Sequence, residues 1–217
     1  MTFEPRAILF DFGGVILSSP LDGFHAYEER LQLPKGFIAS LNMHDPDTNA
    51  WACMERGEID AAEFYRRFET EALKRGYIIE ARVLLSQISG NLRPEMVRVV
   101  RALKKRYRVA CVTNNMNLGF GTAMSSTPEA AAEIAIVMAL FDHVIESWKI
   151  RARKPEPQFF ERACAIIDVA PEHCVYLDDF GMNLKPARAM GMQTIKVGDP
   201  AQAVADLEAL LGHEVSS

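Results

Sequence analysis

The stretch Ala7-Ile8-Leu9-Phe10-Asp11-Phe12-Gly13-Gly14-Val15 decides the fold, because a short apolar run ends abruptly at a carboxylate and two glycines. Four consecutive apolar residues are typical of a strand that is buried in a parallel sheet. Open α/β sheets bind ligands at the carboxyl ends of their strands, so Asp11 is placed to act as a nucleophile, a metal ligand or both. The glycines allow the backbone to turn closely around whatever this carboxylate holds. Taken alone, a strand-ending Asp-x-Gly turn explains the same residues equally well.

From residue 91 onward, segments with helical periodicity alternate with short apolar runs. Proline in the first turn and a buried face of regularly spaced valines and leucines mark the first of these helices. The predicted strands are 7–10, 109–113, 143–146, 174–177 and 193–197, and the predicted helices are 93–103, 128–140, 157–167, 184–190 and 201–211. This alternation predicts an α/β fold, namely a Rossmann-like doubly wound parallel sheet with helices on both faces.

Residues 18–89 show helical patterns and little strand signal. The segment 60–69 is amphipathic, with Phe64 and Phe68 four residues apart. We therefore predict a core domain formed by residues 1–17 and 90–217 and an inserted α-helical cap domain formed by residues 18–89. Trp51, Phe64 and Tyr65 in this cap either line a pocket or pack between helices, and packing is the favoured interpretation.

The composition of the chain narrows its class and its partners. A length of 217 residues suits one core with a small accessory lobe, and the net charge of −5 gives no electrostatic footprint for nucleic acid. No run approaches the roughly 18 apolar residues of a membrane span, so a cytoplasmic protein without membrane contact is expected. The four cysteines lack metal-site spacing and are expected to be reduced structural thiols. Homodimerisation is left open by the sequence.

Four polar sites fall at or near the ends of predicted strands. They are Asp11, the segment Thr113-Asn114-Asn115, Lys154 before a proline-started helix, and the pair Asp178-Asp179. Each has an ordinary explanation when taken singly, such as a helix cap, a solvated lysine or a turn. Because the carboxyl ends of parallel strands meet at one edge of a sheet, we expect these residues to form one site.

Together these residues suit phosphoryl transfer. Asp11 would attack phosphorus, Thr113 and Asn114 would bind the phosphate oxygens, and Lys154 would offset charge. Asp11, Asp179 and the carbonyl of Gly13 offer hard oxygen ligands for Mg²⁺, with Asp178 placed behind the metal ligands. The sequence therefore predicts a magnesium-dependent site for a small organic phosphate.

The order of these motifs resembles that of the haloacid dehalogenase superfamily. The resemblance extends over nearly the whole chain, through 33–36, 57–59, 154–157 and 176–188, to the branch that contains the N-terminal phosphatase domain of soluble epoxide hydrolases. It implies a Rossmann-like fold with a helical cap inserted after the first motif, a Mg²⁺ cofactor and hydrolysis through an aspartyl-phosphate. The same resemblance implies that Asp179 ligates the metal directly and that Asp178 lies behind it.

One position departs from the pattern of phosphatases in this superfamily. They usually carry a second aspartate two residues after the nucleophile, which protonates the leaving group, and here that position is Gly13. General acid–base catalysis of this kind is typically worth about 10² to 10⁴ in rate. Two alternatives to a phosphatase therefore stay open: a 2-haloacid dehalogenase, and a phosphate-binding or regulatory protein with weak or no turnover.

Overall fold

The computed structural model describes residues 3–88, 90–118, 125 and 127–215 and contains a five-stranded parallel sheet. The strand order is β3-β2-β1-β4-β5, which places the first strand in the middle. The strands are β1 Ala7–Phe10, β2 Arg108–Thr113, β3 His143–Glu146, β4 Cys174–Asp178 and β5 Gln193–Lys196. The predicted α/β class with a Rossmann-like parallel sheet is confirmed.

Between β1 and residue 88 the chain forms five helices, which pack around a hydrophobic cluster of their own. Phe64 and Phe68 are fully buried at its centre, as expected from the amphipathic pattern. The helices are α1 Pro20–Arg30, α2 Phe37–Met43, α3 Ala50–Glu55, α4 Ala61–Lys74 and α5 Ala81–Leu85. A single antiparallel bridge between Leu17 and Leu92 joins the two chain segments that lead into and out of this helical part. The exact division into core 1–17 and 90–217 and cap 18–89 stays a prediction.

The remaining helices cover both faces of the sheet. They are α6 Pro94–Leu103, α7 Pro128–Met138, α8 Ser147–Ile150, α9 Pro157–Ile167, α10 Gly181–Ala189 and α11 Pro200–Leu211. Because side chains alternate along a strand, Ile8 and Phe10 of β1 pack with α6, α7 and α11, whereas Ala7 and Leu9 pack with α9 and α10. The sheet is therefore doubly wound, and both of its faces are buried.

Differences from the predicted elements are local. Helix α10 begins at Gly181 rather than at residue 184, because Asp178 Oδ1 accepts the Phe180 N–H and orders the turn that precedes it. Helix α8 and a 3₁₀ turn at Pro171–His173 were not predicted, since such short elements carry no periodic signal. All four cysteines are free and buried. In the described part of the chain, every helix is too short or too polar to cross a membrane.

Candidate active site

The predicted site residues converge at the carboxyl edge of the sheet. Asp11 follows β1, Thr113 ends β2, and Asp178 and Asp179 end and follow β4. Strand β1 lies between β2 and β4, where the chain switches from one side of the sheet to the other, and ligands bind at such switch points in open α/β sheets. Lys154 reaches this edge from the loop between α8 and α9.

Asp11 and Lys154 form a buried ion pair. The distance between Lys154 Nζ and Asp11 Oδ1 is 2.8 Å, and Oδ1 also accepts the Phe12 N–H at 2.6 Å. Asp11 Oδ2 has no hydrogen bond from the described residues, so one carboxylate oxygen stays available. Burial raises the pKa of Asp11 well above its usual range, and the Lys154 ammonium opposes that shift.

Asp178 is fully buried and uses both of its oxygens as acceptors. Lys154 Nζ donates to it at 2.9 Å, Phe180 N at 2.7 Å and Asn183 Nδ2 at 3.1 Å. The Tyr176 hydroxyl donates as well, and burial followed by the Asp178 charge raises the pKa of that phenol well above its usual range. Burial alone favours a neutral Lys154, but Asp11 and Asp178 outweigh it and hold the lysine pKa above its usual value. Asp178 therefore fixes the position of the ammonium.

Asp179 has the opposite character. Its Oδ1 atom is buried without a hydrogen-bond partner in the described part of the chain. Burial, with Asp178 as the next cause, raises the pKa of Asp179 to about 6. One oxygen from each of Asp11, Asp178 and Asp179 can be chosen so that all lie within 4.8 Å of one another. A buried carboxylate oxygen without a hydrogen-bond partner, placed among like charges, suits a hard divalent cation, and oxygen ligands of this kind are those that Mg²⁺ prefers.

The two glycines after Asp11 differ in what they allow. Gly14 has a φ of +78°, and an ideal Cβ there would lie 2.1 Å from Asp179 Oδ2. Only glycine therefore lets this carboxylate sit against the turn. Gly13 has no such restriction, because its Cβ would meet nothing closer than the Pro20 ring at 3.6 Å. Its carbonyl, the predicted third metal ligand, accepts no hydrogen bond from the described residues.

Thr113 and Asn114 differ in how far their side chains are engaged. The Thr113 hydroxyl makes only a 3.5 Å contact with the Asn114 carbonyl. The Asn114 amide is fully engaged: Oδ1 accepts the Lys154 N–H at 2.8 Å, and Nδ2 donates to the Lys154 carbonyl at 2.9 Å. Asn114 therefore pins the loop that carries Lys154. The predicted contact of Asn114 with phosphate would have to come from its backbone N–H, and it stays a prediction.

The sequence did not single out Glu55, which ends α3 and is buried beside the site. Its Oε2 accepts hydrogen bonds from Arg153 Nε at 2.5 Å and from Asn114 Nδ2 at 3.1 Å, and its Oε1 accepts one from Trp51 Nε1 at 3.0 Å. Glu55 and Arg153 are 98 residues apart in the chain, so no local pattern could have revealed the pair. The loop before α9 is thus tied to the helical part of the molecule.

A cavity of about 610 Å³ lies between α1–α3 and the carboxyl edge of the sheet. Asp11, Gly13, Thr113 and Lys154 line its floor. Trp51 lines the opposite wall and also packs against Phe24, Phe64 and Phe68, so both readings of this residue hold. Phe64 serves packing alone, and Tyr65 does not line the cavity.

Comparison with known proteins identifies the family of the chain. Over 220 residues it is 30% identical to mouse bifunctional epoxide hydrolase 2, an alignment that covers 96% of this chain and 39% of that protein. It spans less than half the length of the mouse relatives that it matches at this identity. A sesquiterpene phosphatase of Aspergillus oryzae is 26% identical over 211 residues, with coverage of 95% of this chain and 97% of that protein.

The fold also matches that of a haloacid dehalogenase family enzyme from Bacteroides thetaiotaomicron, solved in complex with magnesium and inorganic phosphate. The TM-score is 0.59 at 17% identity, over 90% of this chain and 96% of the other. Residues 5–191 match the model of the haloacid dehalogenase-like hydrolases. That match covers well over half of the chain, so the protein is a hydrolase that belongs to the haloacid dehalogenase-like family.

Proposed function

We propose that this protein is a Mg²⁺-dependent phosphomonoester hydrolase that acts on small organic phosphates through an aspartyl-phosphate. One observation carries the proposal. A carboxylate with a free oxygen, Asp11, lies beside a buried ammonium and beside Asp179, whose buried oxygen has no partner among the described residues. The full-length similarity to a sesquiterpene phosphatase supports the same reaction class.

In the proposed reaction Asp11 Oδ2 attacks phosphorus, a P–O bond forms to the carboxylate, and the P–O bond to the leaving group breaks. Water then attacks phosphorus of the aspartyl-phosphate and the P–O bond to Asp11 breaks, which restores the carboxylate and releases inorganic phosphate that carries the two protons of the water. Lys154 stays protonated, since two carboxylates hold its pKa high, and it offsets the charge on the transferring group. Thr113 donates its hydroxyl to a phosphate oxygen.

The residues present fit a divalent cation. Asp179 Oδ1 and the Gly13 carbonyl accept no hydrogen bond within the described structure, and they would hold it together with the Asp11 carboxylate. When bound, Mg²⁺ supplies charge neutralisation at the phosphoryl group. Asp178 would not ligate it, because both of its oxygens already accept hydrogen bonds.

The helical part 18–89 would act as the cap that closes the cavity over the substrate. Trp51, Phe24 and Leu21 present cap side chains to the floor that holds Asp11. Closure of such a lobe excludes water and orients the leaving group.

Substitution of the nucleophile tests the proposal. With p-nitrophenyl phosphate and Mg²⁺, Asp11→Asn should lower kcat by at least about 10³-fold while the circular dichroism spectrum stays unchanged, because an amide cannot attack phosphorus. Chelation of the metal should abolish wild-type turnover. A folded Asp11→Asn variant with more than a small fraction of wild-type turnover would remove Asp11 from the mechanism.

The same assays separate the two alternatives. Release of chloride from 2-chloropropionate without added metal would identify a dehalogenase. Binding of Mg²⁺ and phosphate without hydrolysis of any ester would identify a phosphate-binding protein, in which Gly13 has replaced the proton donor.

A further inference from the structure

We propose that the preferred substrate is the monophosphate ester of an apolar phenol, that is, an aryl phosphate whose leaving group occupies the cavity beneath α1–α3. This inference rests on the proposed phosphatase function and narrows it to a substrate class. Three features of the cavity carry it: its apolar walls, the pairing of its polar groups, and the absence of a proton donor at Gly13.

The walls of the cavity are apolar and partly aromatic. Leu21, Phe24 and Trp51 contribute from the helical side, and Met116, Phe180 and Met182 contribute from the sheet side. The rings of Phe24 and Trp51 meet edge to face with centroids 5.7 Å apart. Such a wall favours an aromatic ring over a strongly hydrated sugar ring, since aromatic contacts add to the free energy gained from apolar burial.

Apart from Asp47, the charged side chains that line the cavity already form ion pairs or hydrogen bonds within the described structure. Arg153 donates to Glu55, and Glu156 accepts from Arg56 and from the Arg153 N–H. Lys154 is held by Asp11 and Asp178 at the phosphate end. Among the described lining residues, no cation therefore remains for a second phosphate or a carboxylate on the leaving group, which disfavours nucleotides and bisphosphates.

Few neutral polar side chains in the cavity are free to form hydrogen bonds with hydroxyl groups of a leaving group. The Asn114 amide is engaged with the Lys154 backbone, and the Asn183 amide donates to Asp178. Two acceptors remain, because Asn42 Oδ1 is buried without a partner among the described residues and Asn183 Oδ1 accepts no hydrogen bond from them. Two acceptors match one or two donors on a ring and do not match the several hydroxyls of a sugar.

The leaving group must also depart without a proton. No histidine lies among the described lining residues, and Gly13 offers no acid. Both oxygens of Glu55 already accept hydrogen bonds, from Trp51, Asn114 and Arg153, so this side chain is held away from the leaving group. A phenolic oxygen has a pKa of about 10, as in tyrosine, whereas a simple alkanol is several units weaker as an acid. The departing phenolate is thus far more stable than an alkoxide.

The two parts of the inference can be separated with matched esters. We would compare kcat and KM, with Mg²⁺, for 2-naphthyl phosphate, 2-(2-naphthyl)ethyl phosphate, α-D-glucose 1-phosphate and acetyl phosphate. The two naphthyl esters should have similar KM values, but kcat should be at least about 10²-fold higher for the aryl ester. Glucose 1-phosphate should have a kcat/KM at least about 10²-fold below that of 2-naphthyl phosphate, because its hydroxyls lose hydration without finding partners.

Exposed methionines at the mouth of the cavity provide variants that leave the core intact. Met43 and Met182 line the cavity and are 58% and 43% exposed. Met43→Gln and Met182→Gln should each raise KM for 2-naphthyl phosphate about threefold or more and leave KM for acetyl phosphate unchanged. Leu73→Gln is the matched control, since Leu73 is 61% exposed but lies outside the cavity.

The outcomes distinguish this inference from the proposed function. If acetyl phosphate is hydrolysed but the naphthylethyl ester reacts as fast as the aryl ester, or glucose 1-phosphate has the higher kcat/KM, the aryl class is wrong and the phosphatase function stands. If the methionine variants change KM for both acetyl and 2-naphthyl phosphate alike, the assigned wall is wrong. If none of the four phosphates is hydrolysed, the proposed function is wrong and the substrate class is wrong with it.

Discussion

At the residue scale, the adjacent glycines Gly13 and Gly14 differ in whether their surroundings would accept a side chain. Gly14 has a left-handed backbone, and a methyl group there would collide with Asp179 Oδ2. Gly13 lies in ordinary space, with the Pro20 ring as its nearest neighbour. The position where phosphatases of this family usually carry a proton donor is therefore occupied by glycine for no steric reason that the structure shows.

Gly13→Asp should consequently be accepted and should restore a proton donor. We expect kcat for alkyl phosphates to rise by about 10²-fold, whereas kcat for aryl phosphates changes little, because only poor leaving groups need protonation. Gly13→Ala, which adds the Cβ without the acid, should keep the steep dependence of the wild type on leaving-group acidity. Thermal melts of both variants report whether the turn has accepted a side chain. A wild type that hydrolyses alkyl and aryl esters at equal rates would refute this account of Gly13.

The two neighbouring aspartates should respond to amidation in opposite directions. Asp179→Asn removes a charge that burial and Asp178 disfavour, so the metal-free protein should melt a few degrees higher, and Mg²⁺ should no longer raise the melting temperature. Asp178→Asn should instead destabilise the fold by about 3 kcal/mol, because Lys154 loses one of its two anionic partners. Calorimetry with and without Mg²⁺ measures both effects. Equal losses of metal response in the two variants would contradict the separate roles of these residues.

At the element scale, the end of α3 and the loop between α8 and α9 behave as one unit. Glu55 joins them through Arg153 and Asn114, Arg56 pairs with Glu156 at 3.0 Å, and Arg151 donates to the Gly57 carbonyl. Asn114 also pins the backbone of Lys154. The contact between the helical part and this loop is thereby coupled to the placement of the lysine.

Glu55→Gln should lower kcat about tenfold for acetyl phosphate and for 2-naphthyl phosphate alike. In the wild type, Asn114 Nδ2 and Arg153 Nε both donate to Glu55 Oε2. The substituted amide has one oxygen and one nitrogen, and the nitrogen cannot accept a hydrogen bond, so the loop should shift and move Lys154 with it. Glu58→Gln is the control, because Glu58 also pairs with an arginine but its side chain is 45% exposed, and its loss should change kcat less than twofold. An effect of Glu55→Gln on the larger ester alone would show that Glu55 lines the pocket and does not position Lys154.

At the scale of the whole molecule, separate hydrophobic clusters support the chemistry and the substrate pocket. Phe64 lies in the helical cluster and stacks on Phe68 with centroids 5.4 Å apart, whereas Phe160 lies beneath the sheet against Tyr176. Both side chains are fully buried. Tyr176 in turn holds Asp178.

Phe64→Ala and Phe160→Ala form a matched pair, each expected to cost about 3–5 kcal/mol of stability. Phe64→Ala should raise KM for 2-naphthyl phosphate and spare acetyl phosphate, because only the pocket wall is loosened. Phe160→Ala should lower kcat for both esters, since the support of Asp178 and Lys154 is lost. Urea titrations at a temperature where both variants are folded give the stabilities, and identical kinetic profiles would argue against the division into cap and core.

The sequence by itself determined the parallel sheet, its flanking helices and the placement of Asp11, Thr113, Lys154 and Asp178-Asp179 at one edge. These inferences succeed because strand runs, first-turn prolines and strand-end polar residues are local signals, and parallel strands bring their ends together. The start of α10 and the short helix α8 were not predicted, since their hydrogen bonds depend on neighbours that periodicity does not encode.

Only the tertiary structure decided how the site residues share their hydrogen bonds. The sequence pattern predicts Asn114 as a phosphate ligand, but its side-chain amide forms hydrogen bonds with the backbone of Lys154. Glu55, which also accepts a hydrogen bond from Asn114, lies on a helix far away in the chain. The same holds for Asp178 and Asp179, which are neighbours in sequence yet opposite in character, one with both oxygens bonded and the other with a buried oxygen unpartnered in the described structure. Which carboxylate is satisfied depends on donors from other elements, and chain order does not specify those contacts.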